Sequence, residues 1–249
     1  MRKITVINQK GGTGKTTTVV SLGAALAELG REVLLLDLDP QAGLTESLGV
    51  DAAGKPTVAE LLTGKAEPRE AFRNLGHMTV VPASPGLAET EKRILRERHS
   101  DYPLALKAAL AGLRGFDFVI VDCPPSLGAL SLMGMVYSGS LLIPLQTHYM
   151  ALNGLEKILA MVKTVREAGF PMEILGILPC MYDGRTSLSR QVEEHLRETL
   201  GAKVFRTVIR QSVSLAEAPA RSMDILSYQP NGRGAQDYRA LAQEVMRHG

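Results

Sequence analysis

A glycine-rich segment lies near the start of the chain and reads Asn8-Gln9-Lys10-Gly11-Gly12-Thr13-Gly14-Lys15-Thr16-Thr17. It follows a short apolar run, Ile4–Ile7, and leads into a stretch with helical spacing, Thr16–Leu29. Glycines let the backbone curl until several N–H groups point inward, and the start of a helix adds positive potential. The segment therefore predicts a phosphate-binding loop between a strand and a helix.

Three side chains of this loop are candidates for contact with a bound nucleoside triphosphate or its Mg²⁺. The ammonium of Lys15 can reach the β- and γ-phosphates, and the hydroxyl of Thr16 can ligate Mg²⁺. The common form of such a loop, G-x-x-x-x-G-K-[ST], has glycine where this chain has Gln9. Lys10 either adds a second ammonium beside the γ-phosphate, where charge spreads in the transition state, or is a solvated lysine of the loop.

Acidic residues end two further apolar runs. Asp37 and Asp39 follow the run Val33–Leu36, and Asp122 follows the run Phe118–Val121. Carboxylates at the carboxyl ends of buried strands lie where ligands bind in open α/β sheets. These three aspartates are therefore candidate site residues.

The aspartates and their neighbours allow more than one interpretation. Asp122 would accept a hydrogen bond from Mg²⁺-bound water or from Thr16. Asp37 is either a site residue or a structural carboxylate that binds the backbone of the glycine-rich loop, and Asp39 is either a site residue or a helix N-cap. Cys123 is expected to be a small buried residue rather than a nucleophile.

Short apolar runs recur along the chain, namely Ile4–Ile7, Val33–Leu36, Met78–Val81, Phe118–Val121, Leu141–Leu145, Ile174–Leu178 and Lys203–Val208. Such runs are typical of strands covered on both faces, and stretches with helical spacing, such as Leu152–Ala168, separate them. The alternation predicts an α/β fold with a mostly parallel, twisted sheet flanked by helices on both faces. We expect residues 1–249 to form a single domain, with a short helix near Val58–Leu62 inside an insertion.

The amino-acid composition excludes several classes of protein to which the chain could otherwise belong. The chain has 249 residues, of which 45% are hydrophobic and 22% charged, and this composition argues against disorder and coiled coil. Its two cysteines exclude a disulfide framework and a cysteine-only metal site. No run approaches the roughly 20 apolar residues of a spanning helix. The net charge of +2 by itself argues against a strongly basic nucleic-acid binder.

The loop Lys-Gly-Gly-x-Gly-Lys-Thr-Thr resembles the deviant Walker A motif of the ParA/MinD group of P-loop ATPases. The resemblance implies that Lys10 is the signature lysine, which reaches the phosphates of the other subunit in an ATP-sandwich dimer. It also implies that Asp39 orients the attacking water and helps to hold Mg²⁺, and that Asp122 is the Walker B aspartate. Lys10, Lys15 and Asp39 are then the catalytic residues.

Later segments are similar to Soj-type partition ATPases as far as the C-terminus. They are Ile143–Gln146, Tyr149–Leu155, Met181–Thr186, Leu215–Pro219 and Arg233–Ala235. The proline and asparagine with which the family contacts adenine are replaced here by Arg210 and Ser212. The residues assigned to ATP are Lys10, Gly11, Gly12, Thr13, Gly14, Lys15, Thr16, Thr17, Met181, Arg210 and Ser212, and those assigned to Mg²⁺ are Thr16, Asp39 and Asp122.

The distribution of charge bears on a DNA partner. Residues 185–249 contain ten Lys or Arg and seven Asp or Glu, whereas the preceding residues are slightly acidic. One DNA-contacting arginine of the family matches Arg185, and another falls on Ser214. The basic residues assigned to DNA are Arg185, Arg206, Arg210 and Arg221, although an ordinary solvated surface would have the same composition.

The resemblance implies a cytoplasmic, nucleoid-associated ATPase that forms a homodimer with ATP and then binds DNA without sequence preference. A ParB-like partner would stimulate slow hydrolysis, and the cycle would segregate chromosome or plasmid DNA. Two alternatives remain: a MinD-like ATPase of the membrane surface, and a ParA-like ATPase that positions another cargo on the nucleoid. The apolar stripe of the last helix, Tyr238–Met246, is expected to pack on the domain rather than bind a membrane.

Overall fold

A computed structural model describes residues 1–148 and 152–248. Within these residues the chain forms one sheet of eight strands, in the order β3-β4-β2-β5-β1-β6-β7-β8. The strands are β1 (Arg2–Val6), β2 (Val33–Asp37), β3 (Arg73–Asn74), β4 (Thr79–Val81), β5 (Phe118–Asp122), β6 (Ser140–Gln146), β7 (Glu173–Tyr182) and β8 (Ile209–Arg210). All neighbouring pairs are parallel except β3 and β4. The first three residues of the segment Tyr149–Leu155 lie outside the described residues.

Helices connect the strands. In the described part of the chain they are α1 (Lys15–Glu28), α2 (Gly43–Ser47), α3 (Val58–Leu62), α4 (Gly86–Arg98), α5 (Ala105–Ala109), α6 (Ala129–Ser138), α7 (Leu152–Glu167), α8 (Ser187–Leu200), α9 (Val213–Glu217), α10 (Ile225–Tyr228) and α11 (Arg233–Arg247). Alternate residues of β2 face opposite layers: Leu35 packs in a core with α1 and α11, and Leu36 in a core with α3 and α6. The predicted α/β fold, with helices on both faces, is confirmed.

Six of the seven predicted strands are confirmed, but a strand at Lys203–Val208 was a wrong prediction. Val204 makes an isolated bridge to Ile177, and the strand proper begins only at Ile209. The backbone N–H groups of residues 206 and 207 donate instead to the carboxylate of Glu244, at 2.7 and 2.9 Å. A carboxylate from α11 thus takes the donors that a strand would offer to its neighbour.

The short helix predicted at Val58–Leu62 is present as α3 with these bounds. Its N-terminus is closed by a capping box, in which Thr57 and Glu60 satisfy each other's backbone N–H groups. The reciprocal bonds satisfy two backbone donors at the start of this five-residue helix.

The last helix, α11, packs against α1. Tyr238, Leu241 and Val245 are fully or almost fully buried in the core shared by these two helices, so the predicted packing of the apolar stripe is confirmed. The guanidinium of Arg2 donates to the backbone carbonyls of Val245 and His248, which are among the free carbonyls at the end of α11. None of the described helices combines the length and apolar character needed to cross a bilayer.

Candidate functional site

The glycine-rich loop joins the end of β1 to the start of α1. Gly12 and Gly14 have φ of +70° and +88°, a left-handed conformation that favours glycine. A Cβ atom built on Gly11, Gly12 or Gly14 would meet no atom within 4 Å, so the inside of the loop is open. Gly14 is also the N-cap of α1 and offers no side chain to the first N–H groups of the helix. The loop therefore presents free donors to an anion.

Lys15 is the first residue of α1 and is only 7% exposed. Its Nζ donates to the carbonyl oxygen of Lys10, at 3.2 Å. Burial lowers the pKa of Lys15, and the negative charges of Asp122 and Asp39 partly oppose that shift. The ammonium therefore lies between the glycine-rich loop and the acidic strand ends.

Asp122, the last residue of β5, is fully buried. Its Oδ2 accepts a hydrogen bond from the Thr16 hydroxyl at 2.7 Å, which is one of the two contacts expected from the sequence. Its Oδ1 is buried and has no hydrogen-bond partner. Burial, and then the charge of neighbouring Asp37, raise the pKa of Asp122 to about 8. A buried carboxylate oxygen without a partner is costly, so this position fits a hard cation such as Mg²⁺.

Asp37 is the last residue of β2, and Asp39 lies two residues beyond it. Asp37 accepts from the backbone N–H of Asp39 and from both the N–H and the hydroxyl of Thr45. It is thus a structural carboxylate that holds α2, and the suggested bond to the glycine-rich loop is wrong. Burial raises the pKa of Asp37 to about 6, although its hydrogen bonds oppose this. Asp39 accepts from Gln41 N–H at 2.9 Å and is not an N-cap, because α2 starts only after Ala42.

A cavity of about 260 Å³ lies beside the glycine-rich loop. It is lined by Thr13, Gly14, Thr17, Cys180, Met181, Ile209, Arg210, Gln211, Ser212, Leu215, Ala216 and Tyr238. The structure therefore brings Met181, Arg210 and Ser212, three residues that the resemblance assigned to ATP, together with the loop. The guanidinium of Arg210 is held by the Asp237 carboxylate, with a shortest distance of 2.6 Å.

Comparison with known proteins identifies the family. Residues 1–174 match a family model described as an AAA domain. The chromosome partitioning protein ParA of Caulobacter vibrioides is 36% identical over 99% of this chain and 94% of its own length. The chromosome-partitioning ATPase Soj of Thermus thermophilus is 44% identical over 99% of this chain and 96% of its own length. The chain belongs to the Soj/ParA family of ATPases.

A solved structure extends the similarity of this Soj/ParA-family chain to three dimensions. It is cobyrinic acid a,c-diamide synthase from Mycobacterium smegmatis with bound ADP and magnesium, which is 40% identical with a TM-score of 0.86. The match covers 100% of this chain and 95% of that one.

The arginines assigned to DNA in this Soj/ParA-family chain lie on several different elements of the fold. Arg185 follows β7 and is paired with the carboxylate of Asp183. Arg206 is exposed and lies alongside the middle of β7, just after the Val204 bridge. Arg221 ends a 3₁₀ turn before α10 and is exposed. The charge of Arg210 is already opposed by Asp237.

Two functional contacts of the Soj/ParA loop were missed by the sequence reasoning. Asn8 is buried, and its amide donates to Pro144 O at 2.6 Å while its Oδ1 accepts from Lys10 N–H at 3.0 Å. Gln146 accepts from the ammonium of Lys10 at 3.2 Å. A polar residue between an apolar strand and the loop was a signal for Asn8, but nothing in the spacing connects Gln146 with Lys10.

The turn after Asp122 is anchored by a carboxylate from another helix. Gly128 is the N-cap of α6 and has no side chain, but Glu91 of α4 accepts from the N–H of Leu130 at 3.3 Å. Because Leu130 is buried, removal of the carboxylate leaves this donor without a partner. Glu91→Ala is expected to destabilise the fold by about 1 kcal/mol, which lowers the melting temperature by roughly 2–4 °C.

Glu89→Ala is the matched control for this prediction. Glu89 lies on the same helix, is 70% exposed and pairs only with Lys92 and Arg96 on the surface. Its loss is expected to leave the melting temperature nearly unchanged. Equal melting temperatures of the two variants, measured by calorimetry without nucleotide, would show that Glu91 does not cap α6.

Proposed function

We propose that this chain is a partition ATPase that uses ATP and Mg²⁺ to switch between a free subunit and a DNA-binding homodimer. The observation that carries the proposal is the buried, unpartnered Oδ1 of Asp122 beside Thr16 and Lys15, at the mouth of an open glycine loop. These are the parts that a Mg²⁺–nucleotide needs, in a chain related over its full length to partition ATPases.

The nucleotide is placed by the open loop and the adjoining cavity. The phosphates lie on the backbone N–H groups of residues 11–17, because the N–H of Lys10 already donates to Asn8. The base lies in the cavity with Met181, Arg210 and Ser212. Thr16, Asp122 and Asp39 would hold Mg²⁺, and the nucleotide phosphates would add further oxygen ligands of the kind that this cation prefers.

Hydrolysis depends on three side chains. Asp39 orients the attacking water, and Lys15 neutralises charge on the phosphates that its own subunit binds. Lys10 does the same across the dimer, for the nucleotide of the partner subunit. When bound, Mg²⁺ supplies further positive charge to the phosphate oxygens. We propose that turnover is slow until a ParB-like protein stimulates it.

DNA binding follows from pairing rather than from one strongly basic face. Arg185, Arg206 and Arg221 are exposed, although Arg185 is paired with Asp183. Arg210 is less suited to DNA because it is half-buried and Asp237 holds its guanidinium. Each subunit therefore contributes a weak set of cations, and a dimer doubles it. Such contacts bind phosphates without reading sequence, which fits a cytoplasmic protein that associates with the nucleoid.

The test is the retention of DNA with ATP, with ADP and without nucleotide, over a series of salt concentrations. We expect retention only with ATP, and a linear fall of log affinity against log salt. Arg185→Ala should reduce the slope. Arg96→Ala is the control, because Arg96 is likewise exposed and paired with a carboxylate but is not among the residues assigned to DNA. Equal retention in all three nucleotide states would overturn the switch.

Two alternative functions use the same nucleotide site and differ from the proposed one in what the ATP-bound protein binds. A MinD-like membrane ATPase would bind liposomes with ATP, but the apolar residues of α11 that would enter the bilayer are packed against α1. A ParA-like ATPase for another cargo shares the chemistry. Identification of the protein that is retained on the ATP-bound chain distinguishes chromosome or plasmid segregation from that case.

Nucleophilic chemistry by a thiol has no support in the two cysteines of this chain. A thiol nucleophile works as its thiolate. Burial raises the pKa of Cys180 to about 12 and raises that of Cys123 still further above its ordinary value. Both side chains are therefore packing residues.

A further inference from the structure

Gln146, the last residue of β6, connects three parts of the site. Its Oε1 accepts a hydrogen bond from Lys10 Nζ at 3.2 Å. Its Nε2 donates to the carbonyl oxygen of Gly12 at 2.9 Å and contacts the Sδ of Met181 at 3.3 Å. One amide thus joins the lysine, the backbone of the glycine loop and the cavity assigned to the base.

The contact between Gln146 and Lys10 is a single hydrogen bond from an ammonium to a neutral amide, which can orient the lysine side chain without binding it permanently. Lys10 is exposed, and the group that accepts from its ammonium is a neutral amide rather than a carboxylate. A hydrogen bond from a charged donor to a neutral acceptor contributes modestly in water, whereas an ion pair would compete with phosphate for the same cation.

We propose that Gln146 is a positioning residue that holds Lys10 against its own subunit until two ATP-bound subunits pair. The inference rests on the proposed role of Lys10 in the dimer. Pairing moves Lys10 from the Gln146 amide to the phosphates of the partner subunit. Because the dimer has two copies of the contact, both must open, and the effect of Gln146 on the dimerisation constant is squared.

Substitutions at Gln146 have opposite expected effects. Gln146→Ala removes the acceptor and should lower the dissociation constant of the dimer about tenfold, which is about threefold for each contact. Gln146→Glu keeps the size of the side chain but places a carboxylate beside Lys10, and should raise the dissociation constant at least tenfold. Both are measured by analytical ultracentrifugation with a non-hydrolysable ATP analogue.

Two further measurements separate positioning from a general structural effect. The affinity of the Gln146→Ala subunit for the analogue, measured below the concentration of dimerisation, reports any loss of the contacts with Gly12 and Met181, and the tighter dimer should remain after correction for it. Gln191→Ala, an exposed glutamine on α8, is the matched control and should leave the dissociation constant unchanged. In a Lys10→Ala background the Gln146→Ala substitution should have no further effect on the dissociation constant, because the Lys10 ammonium that Gln146 would hold is absent.

The outcomes distinguish this inference from the proposed function. A Gln146→Ala chain that dimerises no better than wild type, in a protein that needs Lys10 to dimerise, overturns the inference and leaves the proposed function intact. If Lys10→Ala dimerises as well as wild type, the proposed role of Lys10 fails and the inference fails with it.

Discussion

Asp39→Ala is expected to lower the rate of ATP hydrolysis at least a hundredfold while ATP binding persists. The carboxylate lies beyond the end of β2, close enough to Lys15 to oppose the lowering of its pKa, and it makes only a local bond to Gln41 N–H. It is therefore free to accept a proton or a hydrogen bond from an attacking water. Loss of such a group typically costs a factor of roughly 10²–10⁴ in rate.

The readouts of this variant are phosphate release at saturating ATP and the mass of the complex by light scattering. Because hydrolysis ends the dimeric state in the proposed cycle, the variant should remain a dimer with ATP and stay on DNA. Asp51→Ala is the control, since Asp51 is an exposed aspartate whose carboxylate accepts from Ala53 N–H. Phosphate release at the wild-type rate would refute the role of Asp39.

Lys15→Ala is expected to weaken ATP binding at least a hundredfold, which corresponds to about 2.7 kcal/mol. Lys15 is 7% exposed, and its positive charge opposes the rise in the pKa of Asp122. Its removal takes one positive charge from the phosphates and leaves the carboxylates at the strand ends less opposed. The first change weakens the attraction for a triphosphate, and the second increases the repulsion from the carboxylates.

Binding is measured by titration with a fluorescent ATP analogue, and calorimetry without nucleotide shows that the variant is folded. Lys163→Ala is the control, because Lys163 is an exposed lysine of α7 whose partner is Glu167. If Lys15→Ala bound ATP within about threefold of wild type, the loop would not bind phosphates as proposed.

The parts of the site that are close together in sequence were predictable from it. The glycine loop needs left-handed residues at Gly12 and Gly14, and only a few residues have that freedom. The contact between Thr16 and Asp122 was also predictable, because parallel strands bring their carboxyl ends to the same edge of a sheet. Strand bounds were within one to four residues where an apolar run was continuous.

The failures involve partners distant in sequence. The wrong strand at Lys203–Val208 lost its N–H donors to Glu244, which is 37 or 38 residues further along the chain. Arg210 is paired with Asp237, 27 residues away, so its charge is not available as its position in the sequence suggested. No local pattern identifies such long-range carboxylate partners, because they depend on how α11 packs.

Asp237 and Glu244 are seven residues apart on α11, so they face the same side of the helix and hold Arg210 and residues 206–207 respectively. These bonds tie α11 to one wall of the cavity beside the glycine-rich loop, so displacement of α11 would break contacts that hold that wall. A ligand that pulled α11 away would change the affinity for the nucleotide, and the nucleotide would change the affinity for that ligand by the same factor. Helix α11 would then be a place from which occupancy of the site could be altered.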